Sequence, residues 1–321
     1  MKIKKESLVF GPVPSRRLGL SLGLDLAPRK TCTLDCLYCE VGRTTNKTVD
    51  RFNLGLADKL LGELKIALEE CGDRLDYVTL AGSGEPTLNA ELGLILTRVK
   101  TLTEVPVAVL TNGTLLHRPD VRAELMSADL VIPSLDTARK ETFARLNRPA
   151  AELDLDEIIK GLIKFRQEFP GRFWLEVLLT KGCNDSPEEL EALREAIGRI
   201  KPELVQMNTV YRPPAFASAK PVSEEFLAAA ARFLGPGADS VKTFSRGREE
   251  TGRRDFQSEI LAMLGRRPLT LEDAAGALGL TWRETRSILD ELEKRGLIHG
   301  EEHDGQLFFR ESNPGAREEI A

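Results

Sequence analysis

Three cysteines crowd one short stretch, KTCTLDCLYCEVG at residues 30–42: Cys32, Cys36 and Cys39, in the spacing C-x3-C-x2-C. Thiolates bind soft metals, and three this close can share one site. A structural zinc ion wants four protein ligands, and a catalytic one takes three and a water. The histidines, His117, His299 and His303, are remote in sequence, so a fourth protein thiolate would come from Cys71 or Cys183. A four-iron cluster held by three cysteines leaves one iron open to a ligand that is not protein. Unligated packing is disfavoured at this density. Spacing alone leaves zinc and iron both open.

A second stretch, LAGSGEPTLN at residues 80–89, ends a strand-like run in Gly82-Ser83-Gly84-Glu85 before Pro86 opens a helical turn. Two glycines let backbone carbonyls approach a ligand, and Glu85 offers a countercharge to an ammonium group. An ordinary βα turn has the same look; the place of the motif after the cysteines and after a strand makes it specific. Further polar residues end apolar runs: Asn112 in LTNGTLL, Ser134 and Asp136 in IPSLDTA, and Asn208 in ELVQMNTV. Ser134 and Asp136 read equally well as helix caps. Glu176 interrupts FWLEVLL, where a charge needs a partner; it reads either as pointing into the sheet's concave side or as edge-facing. Arg212 reads as a phosphate or carboxylate contact or as a solvated loop arginine, and Arg16 and Arg17 as a positive rim before the first strand or as solvated charges.

These residues need a scaffold that gathers them. Strand-like runs cover 18–26, 77–82, 105–112, 130–136, 173–180 and 203–210, with helix-like segments between them, among them 57–71, 155–169 and 186–200. Ser186 with Glu189 predicts a capping box at the last of these. Six β/α units imply an α/β fold with a parallel sheet, curled or flat, whose chemistry lies at the carboxyl ends of the strands. Prolines 213, 214 and 221 mark a change of rhythm. The expected divisions are 1–222, a connecting segment 223–254, a module 255–311 and a loose tail 312–321. The module reads as three helices, with Gly279 between two of them, and a hairpin turning at Asp304-Gly305, the pattern of a winged helix. Every candidate ligand precedes residue 250, so the module is expected to be dispensable for metal binding. Its entry-end residues Trp282, Arg283 and Arg286 can meet nucleic acid, although Asp290, Glu291, Glu293, Glu301, Glu302 and Asp304 make a poor face for a duplex.

With 321 residues, a net charge of −5 and 41% hydrophobic residues, the chain is not coated for nonspecific nucleic-acid binding. The N-terminus lacks a signal-peptide core, no run reaches membrane-span length, and the cysteines suit a reducing compartment; a cytoplasmic location is expected.

Together, C-x3-C-x2-C with Tyr38 before the last cysteine and the Gly82–Glu85 loop resemble the radical S-adenosylmethionine superfamily over about residues 17–212. That resemblance implies a partial (β/α)6 barrel with a [4Fe-4S] cluster on Cys32, Cys36 and Cys39, whose open iron is chelated by S-adenosylmethionine. It further implies one-electron cleavage to a 5′-deoxyadenosyl radical that abstracts hydrogen, and an electron donor such as flavodoxin or ferredoxin. Tyr38, Gly82, Ser83, Gly84, Glu85, Asn112, Ser134, Asp136, Glu176 and Asn208 are the implied cofactor-binding residues. The segments FGPVPSRRLGLSLGLDL and CEVGRTTNKT resemble wyosine-synthase-like iron–sulfur oxidoreductases, which implies an RNA substrate; a protein substrate is the other expectation. The chain departs from archaeal wyosine synthases in having no cysteine before Cys32, and Cys71 and Cys183 are too few for auxiliary clusters. A second class stays open, an iron–sulfur sensor whose winged helix binds DNA or protein.

Overall fold

Alternation along the strands builds the scaffold. The computed structural model describes residues 7–15, 17–71, 75–235, 237–240 and 256–312. Arg16, the later part of the expected connecting segment from 241 on and the tail from 313 lie outside the described residues. At one edge β1 (Val9–Ser15) pairs antiparallel with β2 (Gly19–Leu24). Two-residue strands β3 (Thr31–Cys32) and β4 (Asn46–Lys47) pair across the base of the cysteine loop. The chain then runs α1 (Ala57–Cys71), β5 (Tyr77–Leu80), α2 (Leu92–Leu102), β6 (Val107–Thr111), α3 (Pro119–Leu125), β7 (Leu130–Pro133) and α4 (Lys140–Leu146). It continues with α5 (Leu155–Glu168), β8 (Arg172–Leu179), α6 (Pro187–Ile200), β9 (Leu204–Thr209), α7 (Glu224–Leu234) and β10 (Ala238–Ser240).

One eight-stranded sheet results, in the order β1-β2-β5-β6-β7-β8-β9-β10 and parallel from β2 onward. The six strand-like runs of the sequence become β2 and β5–β9, the partial barrel. The edges β1 and β10 were not legible: β1 carries two prolines, which only an edge strand tolerates. Phe173, Leu175, Val177 and Leu179 of β8, and Val205 and Met207 of β9, enter the main core with the outer helices. The alternate positions therefore line the concave side. Its floor is apolar: Leu18, Tyr77, Ala108, Leu130 and Trp174.

Ser186 caps α6 by accepting from Glu189 N at 3.4 Å. The expected return bond is replaced. Buried Glu189 accepts instead from the Thr137 and Thr142 hydroxyls, both at 2.6 Å, because these buried donors have claimed its carboxylate.

The last elements are α8 (Phe256–Leu264), β11 (Leu269–Thr270), α9 (Leu271–Leu278), α10 (Trp282–Lys294), β12 (Ile298–His303) and β13 (Gln306–Glu311). Gly279 ends α9 at φ 68°, and Asp304 and Gly305 turn the hairpin at φ 48° and 73°. The strands form a sheet in the order β11-β13-β12. The apolar core of this region includes Ile260, Met263, Leu278, Leu289 and Phe309, and it incorporates Val13 and Phe10 of β1. The barrel's edge strand is thus shared with the C-terminal elements.

Candidate active site

The cysteine loop is held from three directions. Asp35 N and Leu37 N donate to Asn147 O and Leu146 O at the end of α4, and Ala150 N donates to Thr33 O. From the end of β6, Asn112 Nδ2 donates to Thr33 Oγ1 at 2.8 Å and Thr33 shares a bond with Thr114 Oγ1 at 2.8 Å. From the segment after β9, Phe216 N donates to Leu37 O at 3.1 Å. Two asparagine amides also reach the sulfurs: Asn112 Nδ2 lies 3.4 Å from Cys32 Sγ and Asn147 Nδ2 3.5 Å from Cys36 Sγ. Such donors favour thiolate over thiol.

Burial works against them. It pushes the Cys32 thiol up to about 12 and raises Cys36 and Cys39 as well. Glu85 adds repulsion at Cys32, and Asp136 and the other two cysteines add it at Cys36, while Lys30 opposes the rise at Cys39. Three clustered, half-buried cysteines whose thiolates burial disfavours need a bound cation to be held ionised together. Among the described residues no three His, Cys, Asp or Glu side chains are grouped so as to hold a single metal ion. One zinc ion would draw its thiolates to about 3.8 Å from one another, given ~2.3 Å Zn–S bonds. Cys71 is packed in the apolar core, and the charged neighbours of Cys183 are Arg145 and Asp185, so neither adds a fourth thiolate. The donor set fits the larger iron–sulfur cluster.

The Gly82–Glu85 loop is shaped by the protein itself. A Cβ at Gly82 would overlap the Asp25 carboxylate, and one at Gly84 would overlap the Thr31 carbonyl, next to Cys32. Ser83 is likewise engaged: its N and Oγ donate to Asp25 at 3.0 and 2.6 Å, and its carbonyl accepts from Lys30 N at 2.9 Å. The Ser83 side chain and one lone pair of its carbonyl are thus already taken by the protein. Glu85 is buried and accepts from Thr87 N (3.0 Å), Thr87 Oγ1 (2.6 Å), Thr111 Oγ1 (2.6 Å) and Asn112 N (2.8 Å). Burial raises its pKa against these four donors. Its backbone N donates to Thr31 O at 3.0 Å, so Glu85 as a whole ties the Cys32 strand to the end of β6.

Asp136 and Tyr38 form a second tie. The Tyr38 hydroxyl donates to Asp136, which also accepts from Asn147 Nδ2 at 2.7 Å and Leu178 N at 3.0 Å. Burial lifts the Asp136 carboxyl to about 6 despite these donors. Asp136 and Tyr38 line a cavity behind Cys36 with Asn112, Ser134 and Phe143.

On the concave side, level with Ser134, Glu176 accepts from Arg17 Nε at 2.7 Å and Asn208 Nδ2 at 3.2 Å. This settles the orientation of Glu176: inward, with a cationic partner. Arg17 is not a surface rim. Gln206 stands opposite Glu176 in the β8–β9 register, and its buried Oε1 has no partner among the described residues. Arg212 does meet carboxylates, but they are the protein's own. It is 2% exposed and bridges the two regions, Nη2 to Asp273 at 2.9 Å, Nη1 to Glu40 at 3.3 Å and Nε to Pro268 O at 2.9 Å. An arginine so enclosed is a bolt, not an anion receptor. A second bolt joins Arg266 Nε to Asp25 at 3.1 Å, behind Ser83. On α10, Trp282 and Arg283 are exposed, while Arg286 pairs with Asp290 at 2.7 Å.

Sequence reasoning missed Asn147, Thr33, Asp25, Gln206 and the role of Arg17. Asp25 had a signal, since Ser21, Gly23 and Asp25 share one face of an alternating run. Asn147 had none, because its partners are distant in sequence.

Comparison with known proteins agrees. The Radical SAM superfamily profile matches residues 28–197. The chain is 37% identical over 95% of its length to a protein of Brachyspira hyodysenteriae named GTPase Obg, of which it spans only 45%. It is 34% identical over 84% of its length to a UPF0026 protein of Helicobacter pylori, covering 88% of that protein. A probable dual-specificity RNA methyltransferase of Mycobacterium marinum is 24% identical over 68% of the chain and 62% of its own length. A crystal structure of a radical SAM methyltransferase from Sphaerobacter thermophilus superposes with a TM-score of 0.53 at 19% identity, covering 71% of this chain and 67% of that one, which supports the fold. With the cysteine loop at the strand ends of a partial barrel and the superfamily profile across its centre, the chain belongs to the radical SAM superfamily, with UPF0026 proteins among its relatives, and its cofactors are a [4Fe-4S] cluster and S-adenosylmethionine.

Proposed function

We propose that the protein abstracts a hydrogen atom from an RNA nucleoside, with Cys32, Cys36 and Cys39 holding the cluster. The carrying observation is the polar layer of Arg17, Glu176, Gln206 and Asn208 on the concave side, where a purely structural barrel would place apolar side chains. Reduced cluster and S-adenosylmethionine together supply radical hydrogen abstraction, and members of the superfamily need a reductant, here a flavodoxin- or ferredoxin-like donor. The chain's own residues do the rest. Asn112 and Asn147 donate toward the cysteine sulfurs, and Glu85 fixes the end of β6 against the Cys32 strand. Ser134, at the mouth, is the hydroxyl available to the cofactor, with Glu85 as the countercharge to its ammonium. Gln206 Oε1 accepts a proton donor from the bound substrate, beside a Glu176 already neutralised by Arg17.

The RNA reading is supported by the name of the Mycobacterium relative and by the resemblance to wyosine-synthase-like proteins. The C-terminal elements are read as a winged-helix-like module that frames the site. The sensor alternative leaves the inward polar layer without a use. The test is anaerobic reconstitution with iron and sulfide analysis, then incubation with S-adenosylmethionine, reductant and cellular RNA. Iron uptake and RNA-stimulated 5′-deoxyadenosine release are expected. Stoichiometric zinc without iron uptake overturns the cluster; iron uptake with no cleavage, together with operator binding, favours the sensor.

A further inference from the structure

The loops around the open end of the barrel carry several cations, most of which the fold leaves without carboxylate partners. Arg43, after the cysteine loop, lies with its Cζ 4.8 Å from the centre of the Phe216 ring, and Arg148, after α4, lies 4.6 Å from the same ring. Lys47 Nζ donates to Arg148 O at 3.1 Å, and Arg145 Nη2 to Cys183 O at 2.7 Å. The Cys183 loop joins the segment after β9 through Lys181 N to Lys220 O, 2.9 Å. These contacts link one continuous rim running from the cysteine loop past α4 to the loops after β8 and β9.

Among the described residues Arg43, Lys47, Arg145, Lys181 and Lys220 form no ion pair, and all five are exposed. Several carboxylates of the same loops are already engaged, while Asp50 and Glu152 remain exposed. Asp35 takes Arg148 at 3.3 Å and Thr44 N at 2.8 Å, Glu40 takes Arg212, and Asp185 accepts from Gly182 N at 2.8 Å. The rim therefore carries five exposed cations against two exposed carboxylates, a local positive excess on a chain whose net charge is −5. Phe216 holds two guanidinium groups in place, so less side-chain freedom is lost when an anion arrives. Planar guanidiniums match both phosphate oxygens and the faces of unstacked bases.

We propose that this rim, rather than α10, is the surface that grips a single-stranded RNA segment by its phosphates, with Arg43, Lys47, Arg145 and Lys220 as contacts. This rests on the RNA reading given above and specifies how that substrate is held. Grip at the rim leaves one nucleoside free to enter the barrel mouth, where the concave polar layer begins. An acidic protein would find the charge but not a use for the ring-ordered guanidiniums.

The test measures fluorescence anisotropy of a short labelled single-stranded RNA, and of a polyglutamate peptide, on the reconstituted full chain between about 50 and about 200 mM salt. Each phosphate contact contributes about 0.7 to the slope of log K against log salt. Arg43→Ala with Lys47→Ala and Lys220→Ala is expected to flatten the slope by about 2 and to weaken RNA binding at least about tenfold at the lower salt, with iron content unchanged. Because Lys47 and Lys220 are exposed, Lys47→Glu with Lys220→Glu serves as a second variant that keeps the fold, and it is expected to weaken binding further. Trp282→Ala with Arg283→Ala is expected to change nothing. If the rim variants bind RNA as the parent does and the α10 variant does not, the surface is misassigned while the RNA reading stands. If the parent binds polyglutamate and no RNA, both fall.

Discussion

Gly84 and Glu85 show how closely the two motifs are joined. A Cβ at Gly84 has nowhere to go but into the Thr31 carbonyl and the Ala27 methyl, and Thr31 directly precedes Cys32. Gly84→Ala is therefore expected to displace the cysteine strand and to lower iron incorporation, measured as iron and sulfide per chain. Full incorporation would show that the strand can yield. Glu85 needs two substitutions to separate its duties. Glu85→Ala strands four donors, at least three of them on buried groups, and should cost about 3 kcal/mol in urea unfolding. Glu85→Gln keeps the oxygen that serves Thr87 and Thr111 and disturbs only the Asn112 N–H, for about 1 kcal/mol. A charge-assisted contact to an ammonium is worth roughly 1.5 to 3 kcal/mol, so the glutamine variant should bind S-adenosylmethionine about ten- to a hundredfold more weakly. Equal affinity in that variant would reduce Glu85 to a brace for the turn.

At the scale of elements, α6 offers a clean comparison between a local and a tertiary device. Ser186→Ala removes an exposed cap worth about 1 kcal/mol. Glu189→Ala leaves two buried hydroxyls without their acceptor and Arg139 without its pair, and should cost about 3 kcal/mol. Urea midpoints at constant m check the order; a larger loss at Ser186 would invert it. The same contrast explains what the sequence could tell. The six barrel strands and α1, α5 and α6 were legible because alternation and helical periodicity are local properties. So were the hairpin at Asp304-Gly305 and the Gly279 turn, where left-handed backbone selects the residue. The inward side of Glu176 was half legible, since a charge in an apolar strand demands a partner, but Arg17 as that partner was not. Glu189 was misread because its capping signal is local and its acceptors' donors, Thr137 and Thr142, arrive from another unit. Arg212 was half legible for the same reason: an anion partner was expected, but nothing in YRPP announces that Asp273 will be one.

For the whole molecule, the question is whether the C-terminal elements can be removed without harm to the site. The sequence places every candidate ligand before residue 250 and so suggests that they can. The contacts argue otherwise. Val13 of the barrel edge is buried in the C-terminal core and half-buried Phe10 packs against it, Asp273 neutralises the enclosed Arg212, which also holds Glu40 beside Cys39, and Arg266 backs the Asp25 that fixes Ser83. A chain ending before Phe256 would expose that apolar edge and leave Arg212 facing Glu40 alone. Breaking one side of a buried ion pair costs about 3 to 5 kcal/mol. The point substitution Asp273→Asn isolates that term, because it removes the charge, keeps the side-chain size and leaves the Pro268 carbonyl bond to Arg212 in place. We expect Asp273→Asn to lower the urea midpoint and to slow iron incorporation, and the shortened chain to do both more severely. The measurement is iron per chain and unfolding midpoint for parent, point variant and shortened chain, each reconstituted under the same conditions. If the shortened chain takes up iron and cleaves S-adenosylmethionine as the parent does, the two bolts are dispensable and the C-terminal elements serve the substrate alone.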